Sequence, residues 1–262
     1  MSNAYIPFPS TILDVIKHTA QEYTFRMSYT GDVLPGQFFE VSIPKYGEAP
    51  ISVSGIGDGY IDLTIRKVGR VTNEVFEHYV GQKMLIRGPY GNGFDTGLYL
   101  GEETVVVAGG TGVSPVRGVI DALSKGEIRD NKYVIVGFKS PDDMLFKDDI
   151  KQWDDTLNLT LTVDRATEGY EGNVGLVTQY IQDLPLSDPK TAKAVVVGPP
   201  AMMHFTIIEL KKKGFVDENI TVSYERKMCC GLGKCGHCRI GDQYICLDGP
   251  VFQYDKAKEL LD

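Results

Sequence analysis

Val105-Val106-Val107-Ala108-Gly109-Gly110-Thr111-Gly112-Val113-Ser114-Pro115 is the stretch that decides the architecture. A short, unbroken apolar run reads as a parallel strand buried on both faces. A glycine-rich turn follows it, then a helical stretch over 116–124. Glycines let the backbone reach a pyrophosphate, and the start of a helix supplies N–H donors and the positive end of its dipole. Gly110, Thr111 and Gly112 are therefore candidate contacts for a dinucleotide. The spacing is not G-x-G-x-x-G, so an ordinary tight strand–helix turn stands as the competing reading.

A second turn of the same kind supports the first. Val197-Gly198-Pro199-Pro200-Ala201-Met202-Met203 also leaves an apolar strand and enters a helix. Two such turns on one sheet make a crevice at the carboxyl ends of the strands, with Gly198, Pro199 and Pro200 on its rim. Between them, Leu161-Thr162-Val163-Asp164-Arg165 ends another strand. A carboxylate there accepts hydrogen bonds from a ribose 2′-hydroxyl and repels a 2′-phosphate, so Asp164 favours NAD over NADP. Arg165 argues the other way, and a strand-ending Asp also serves as a helix N-cap.

Outward from these turns the same alternation continues. Strands are expected at 133–137, 159–163, 194–197 and Ile220–Ser223, with helices over 143–153, 175–183 and 202–213. Alternating strands and helices imply a parallel α/β sheet over residues 99–223. Residues 1–98 differ. Short strands such as Phe38–Ile43, Tyr60–Arg66 and 83–87 alternate apolar and polar residues. Turn signals at Pro35-Gly36, Gly57-Asp58-Gly59 and Gly91-Asn92-Gly93 separate them, which suggests a small antiparallel barrel or sandwich.

From residue 224 to 262 periodicity stops, and all five cysteines fall between Cys229 and Cys246. A disulfide-stabilised secreted chain spreads its cysteines, so this clustering reads as a metal site in a reducing compartment. Cys230-x4-Cys235-x2-Cys238-x7-Cys246 has the spacing of plant-type [2Fe–2S] sites. Gly231, Gly233 and Gly236 let the loop wrap closely and turn N–H groups toward the sulfurs. The alternative is a structural zinc knot of four cysteines, or of three with His237. Cys229 is expected to be a packed spectator and His237 a solvated or hydrogen-bonding side chain. The segment is expected to be a small third domain, held by its metal rather than by burial.

Composition narrows the classes further. The formal net charge is −8, which argues against nucleic acid and anionic membranes as partners. Residues 1–9 lack a basic start followed by an apolar run, and no stretch approaches the ~18 apolar residues of a spanning helix, so a cytoplasmic location is expected.

Taken together these motifs resemble the ferredoxin–NADP reductase superfamily. Gly47-Glu48-Ala49-Pro50-Ile51-Ser52-Val53-Ser54, Tyr224-Glu225-Arg226-Lys227-Met228 and Gly233-Lys234-Cys235-Gly236-His237-Cys238 narrow the resemblance. They point to anaerobic sulfite reductase B subunits, and also to dihydroorotate dehydrogenase electron-transfer subunits and sulfhydrogenase gamma subunits. The resemblance implies FAD on the N-terminal domain, NADH as substrate and redox partner subunits carrying iron–sulfur and sirohaem groups. It assigns the flavin to Pro50, Ile51, Ser52 and Val53 and to Ile65, Arg66, Gly69, Val71 and Thr72. Ala49 stands where the family's R-P-x-S motif has arginine. That departure favours the sulfite reductase branch and leaves Arg66 or Arg70 as the replacement. NADH gives two electrons as hydride, the cluster takes one at a time, and FAD stands between them, so no acid–base residue is required. A zinc-stabilised binding module without catalysis is the reading from another class.

Overall fold

A computed structural model describes residues 4–260, and the chain divides into two compact units. One comprises Met1–Phe94 with Tyr224–Val251, the other Asp95–Ser223 with Phe252–Asp262. The expected boundaries lay at 98 and 223, with 224–262 as a separate domain. In the structure most of the cysteine segment groups with the N-terminal strands, and its last residues group with the α/β sheet.

The first unit is built on β1 (Phe8–Lys17), β2 (Glu22–Ser28), β3 (Phe38–Ile43), β4 (Gly47–Gly57), β5 (Tyr60–Arg66) and β6 (Lys83–Tyr90), with a short α1 (Arg70–Val75) after β5. These strands close into an antiparallel barrel of order β1-β2-β5-β4-β3-β6. The period-two pattern turns Phe25, Met27, Phe39, Val41, Ile61, Leu63, Met84 and Ile86 into a single interior core. Burial of each such side chain contributes ~1.5–3 kcal/mol. Closure leaves no open sheet edge. The outward row is not uniformly wet, because Phe38, Glu40 and Arg87 are also buried.

The second unit opens with α2 (Gly97–Leu100) and continues through β7 (Thr104–Gly109), α3 (Val113–Lys125), β8 (Lys132–Phe138), α4 (Lys147–Thr156), β9 (Asn158–Val163), β10 (Asn173–Val174), β11 (Lys193–Val197), α5 (Pro200–Lys213) and β12 (Ile220–Ser223). The strands β10-β9-β8-β7-β11-β12 pair in parallel in that order. Every residue of β7 and β8 is buried, which explains their unbroken apolar runs. Trp153 of α4 is fully buried and its indole donates to Asp121 Oδ1 of α3 at 2.8 Å.

Two expected helices differ. Over 143–153 the chain makes a 3-10 turn at Pro141–Asp143 and starts α4 only at Lys147, after Phe146 at φ 54. Over 175–183 only a 3-10 turn, Val177–Tyr180, forms. Gly175 at φ 143 lies outside helical space, and Pro185 stops propagation soon after. The cysteine segment adds a hairpin of β13 (Arg239–Ile240) and β14 (Gln243–Tyr244), a turn of helix α6 (Ile245–Asp248), β15 (Val251–Gln253) at the sheet edge beside β12, and α7 (Tyr254–Ala257). Among the described residues no helix is long and apolar enough to cross a membrane.

Candidate functional site

In the α/β unit the carboxyl ends of the strands align, with Ala108 opposite Val197, Gly109 opposite Gly137, and Phe138 opposite Val163. Both glycine turns and Asp164 therefore leave the same edge of the sheet. Gly110–Gly112 form a 3-10 turn into α3, and Pro200 opens α5. A Cβ on Gly112 would lie 2.6 Å from Val197 O and 2.7 Å from Gly198 Cα, so the two turns touch backbone to backbone. Gly110 has φ +54 and open space where a Cβ would be, which leaves its peptide accessible to a ligand. Thr111 and Gly198 are half-buried, while Pro199, Pro200 and Asp164 are exposed. The Asp164 carboxylate stands in solvent while its N–H donates to Phe138 O at 2.9 Å, and Arg165 N–H donates to Lys139 O at 3.0 Å.

On the barrel, the two segments assigned to flavin by resemblance meet. Pro50, Ile51 and Ser52 are half-buried on β4 and Val53 is buried. A Cβ on Gly47 would lie 3.5 Å from Val71 Cγ2, so the starts of β4 and α1 are adjacent. Ile65 points into the core. The Arg66 guanidinium pairs with Glu22 at 3.0 Å, whereas Arg70 donates to Lys45 O at 2.9 Å and lies 5.8 Å from the Tyr46 ring, beside β4. Arg70 thus contacts the turn that precedes β4, and Arg66 ends the strand that pairs with β4. Gly69 N–H donates to Thr72 Oγ1 at 2.9 Å and Thr72 Oγ1 donates back to Gly69 O at 3.2 Å. The hydroxyl and the N–H expected to meet a pyrophosphate are thus joined to each other, as a cap on α1.

The cysteine loop packs on this same unit. Cys230, Cys238 and Cys246 are buried in this loop and Cys235 is exposed. Among the described residues no three His, Cys, Asp or Glu side chains group around one point. N–H groups turn toward the sulfurs: Leu232 to Cys230 at 3.3 Å, Lys234 to Cys230 at 3.4 Å, and Gly233 to Cys246 at 3.2 Å. Two of these donors follow a glycine rather than belong to one. Gly231 has φ +71, and a Cβ there would lie 2.7 Å from the Tyr90 ring, so the loop lies flat on that ring. Burial pushes the Cys246 thiol up to about 12. The His237 N–H holds Cys235 below the ordinary thiol range. An iron held by Cys246 would keep that thiol deprotonated. The donor set therefore fits a cluster. His237 is exposed, as expected, but Cys229 is exposed rather than packed.

Sequence reasoning missed the barrel residues beneath this loop. Arg87 donates to Cys230 O at 2.6 Å and Cys229 O at 2.7 Å, and it grips Glu48 with two bonds of 2.9 and 2.6 Å. Asn92 N–H and Nδ2 hold Gly249 O and Asp248 O, both at 2.5 Å, just past Cys246. The end of β6 and the turn after it thus clamp both ends of the loop. Burial opposes the Arg87 charge, but its bonds to Glu48 and Tyr90 outweigh that and raise its pKa. The Arg87 bond also holds Glu48 below the ordinary carboxylate range. Glu40, opposite both Pro50 and Arg87, is fully buried with neither oxygen hydrogen-bonded. Burial pushes it up to about 8. A lone charged residue in an alternating strand reads as solvated, so no signal in the sequence marked either residue.

Comparison with known proteins agrees with this geometry. Residues 106–207 match the oxidoreductase NAD-binding domain, and residues 225–258 match the iron–sulfur cluster binding domain of dihydroorotate dehydrogenase B. The chain is 35% identical to sulfhydrogenase 2 subunit gamma of Pyrococcus furiosus, over 96% of each chain. It is 32% identical to a probable dihydroorotate dehydrogenase B (NAD(+)) electron transfer subunit of the same organism, over 91% of this chain and 85% of that one. Among solved structures, a chain from an NADH-dependent reduced ferredoxin–NADP oxidoreductase superposes with a TM-score of 0.78 at 24% identity, covering 96% of this chain and 92% of that one. That likeness shows the fold.

Proposed function

We propose, from the premise that this chain belongs to the family of NAD-binding, iron–sulfur electron-transfer subunits that includes sulfhydrogenase gamma and dihydroorotate dehydrogenase B subunits, that it oxidises NADH and delivers single electrons to a partner subunit through a [2Fe–2S] cluster. The Cys230-x4-Cys235-x2-Cys238-x7-Cys246 spacing, with the N–H groups of Leu232 and Lys234 turned to Cys230 and that of Gly233 to Cys246, carries the two-iron reading. When bound, FAD supplies the exchange between hydride and single electrons, and the cluster supplies a one-electron store.

The chain's own residues bind and orient. Gly110, Thr111 and Gly112 at the start of α3, with Gly198, Pro199 and Pro200 at the start of α5, offer backbone to the dinucleotide phosphates. Asp164, exposed at the strand end, accepts the ribose hydroxyls and disfavours NADPH. Pro50, Ile51, Ser52 and Val53 with Val71 line the flavin segment, and Arg70 stands in for the missing arginine. Ile65, Arg66, Gly69 and Thr72 complete the second flavin segment, Arg66 paired with Glu22 and Gly69 with Thr72. No side chain is required to transfer a proton during hydride transfer.

The partner we propose is a sirohaem-carrying subunit of a cytoplasmic anaerobic sulfite reductase. Ala49 in place of the motif arginine supports this branch. A sulfhydrogenase-type assembly is the second reading, favoured by the 35% identity to a gamma subunit. The deciding experiment is anaerobic titration with NADH, with flavin absorbance and EPR recorded together. Flavin bleaching, then a one-electron signal with two irons and two acid-labile sulfides per chain, is expected. A colourless protein with one zinc overturns the proposal. Sulfite-dependent NADH oxidation by the co-purified complex distinguishes the two partner readings.

A further inference from the structure

We propose that Arg87 is a positioning residue for the cluster, holding the peptides that carry its first thiolate and keeping its reduction potential high. The proposal rests on the [2Fe–2S] reading above. It starts from a complete hydrogen-bond inventory. The Arg87 side chain is 3% exposed, and a guanidinium offers five N–H donors in a fixed plane. All five are matched. Nε and one Nη2 donor go to Glu48, the other Nη2 donor to Cys229 O, and the two Nη1 donors to Cys230 O and Tyr90 OH.

A carboxylate can take at most two of these donors, and the choice of partners for the others is what matters. Here two of five bonds end on consecutive carbonyls of the ligand loop, one belonging to Cys230 itself. Arg87 holds those two carbonyl oxygens, while the N–H groups of Leu232 and Lys234, next along the loop, turn to Cys230 Sγ. N–H groups and a buried cation near the sulfurs both favour the extra electron of the reduced cluster. Tyr90 completes the support. Its hydroxyl donates to Ala4 O at 2.6 Å, and its ring carries Gly231. Lysine is a poor substitute, because one ammonium cannot satisfy a planar fork.

The test is an EPR-monitored redox titration of the intact reconstituted protein with Arg87→Met, Arg87→Lys and Glu48→Gln, each with its iron and sulfide content. Arg87→Met is expected to lower the potential by at least 59 mV, a tenfold change in a one-electron equilibrium. Arg87→Lys should fall between it and the wild type, with broadened EPR lines. Glu48→Gln leaves the arginine in place and removes an opposing charge, so its potential should rise. Should Arg87→Met not retain iron, the other two variants decide. Unchanged potentials and spectra in variants holding two irons overturn the role of Arg87. Absence of iron from the wild type instead overturns the cluster reading beneath it.

Discussion

Glu40 makes stability depend on pH in a way that one substitution isolates. Its side chain is fully buried and neither oxygen has a hydrogen bond. Burial raises its pKa to about 8, against a partial offset from Arg87, with Glu48 and Cys230 adding to the rise. The unfolded chain ionises it near its ordinary value of 4.5. Between those values the folded state holds a proton that the unfolded state has released. Stability therefore falls as pH rises through this window, by up to ~1.4 kcal/mol per pH unit, and levels off above the folded pKa. Integrated from pH 5.5 to 7.5 the loss is about 2.5 kcal/mol. Glu40→Gln keeps the shape and removes the titration. Anaerobic urea unfolding followed by circular dichroism, at several pH values, should show the variant gaining on the wild type by roughly 1 M in midpoint across that range. Parallel midpoint profiles for the two proteins would refute the argument, because they would mean that Glu40 is ionised in the fold or never buried.

Three further outcomes follow from the site. Gly112→Ala forces a Cβ to 2.6 Å from a backbone carbonyl, so the two phosphate turns must separate. Overpacking of this kind costs about 1–3 kcal/mol, and NADH affinity by fluorescence titration should fall roughly tenfold or more. Cys230→Ser and Cys246→Ser should each lose iron and visible absorbance, whereas Cys229→Ser should keep two irons by metal analysis; loss of iron from the latter alone contradicts the ligand set. Asp164→Ala should lower the preference for NADH over NADPH by about tenfold in kcat/KM, as 2′-phosphate repulsion disappears. An unchanged ratio assigns specificity elsewhere.

The barrel, the parallel sheet and the iron–sulfur segment were legible because each leaves a local trace. Period-two alternation marks β3 and β5, unbroken Val runs mark β7 and β11, and C-x4-C-x2-C spacing is itself the geometry of a wrapping loop. The loss of the helix expected over 175–183 was not legible, since a glycine in the sequence allows either outcome and only the folded chain sets Gly175 at φ 143. The sequence by itself determined where the chemistry belongs: an NAD-binding sheet and a cysteine-rich iron–sulfur segment, as the family matches over 106–207 and 225–258 agree. Only the tertiary structure decided what supports them. Arg87 and Glu40 read as solvated charges on a strand, and they became buried partners of the cluster segment when a loop 142 residues away in the case of Cys229 settled onto β3 and β6. Long-range burial of this kind has no periodicity to announce it, because the energy that holds it comes from donors and acceptors matched in space rather than along the chain.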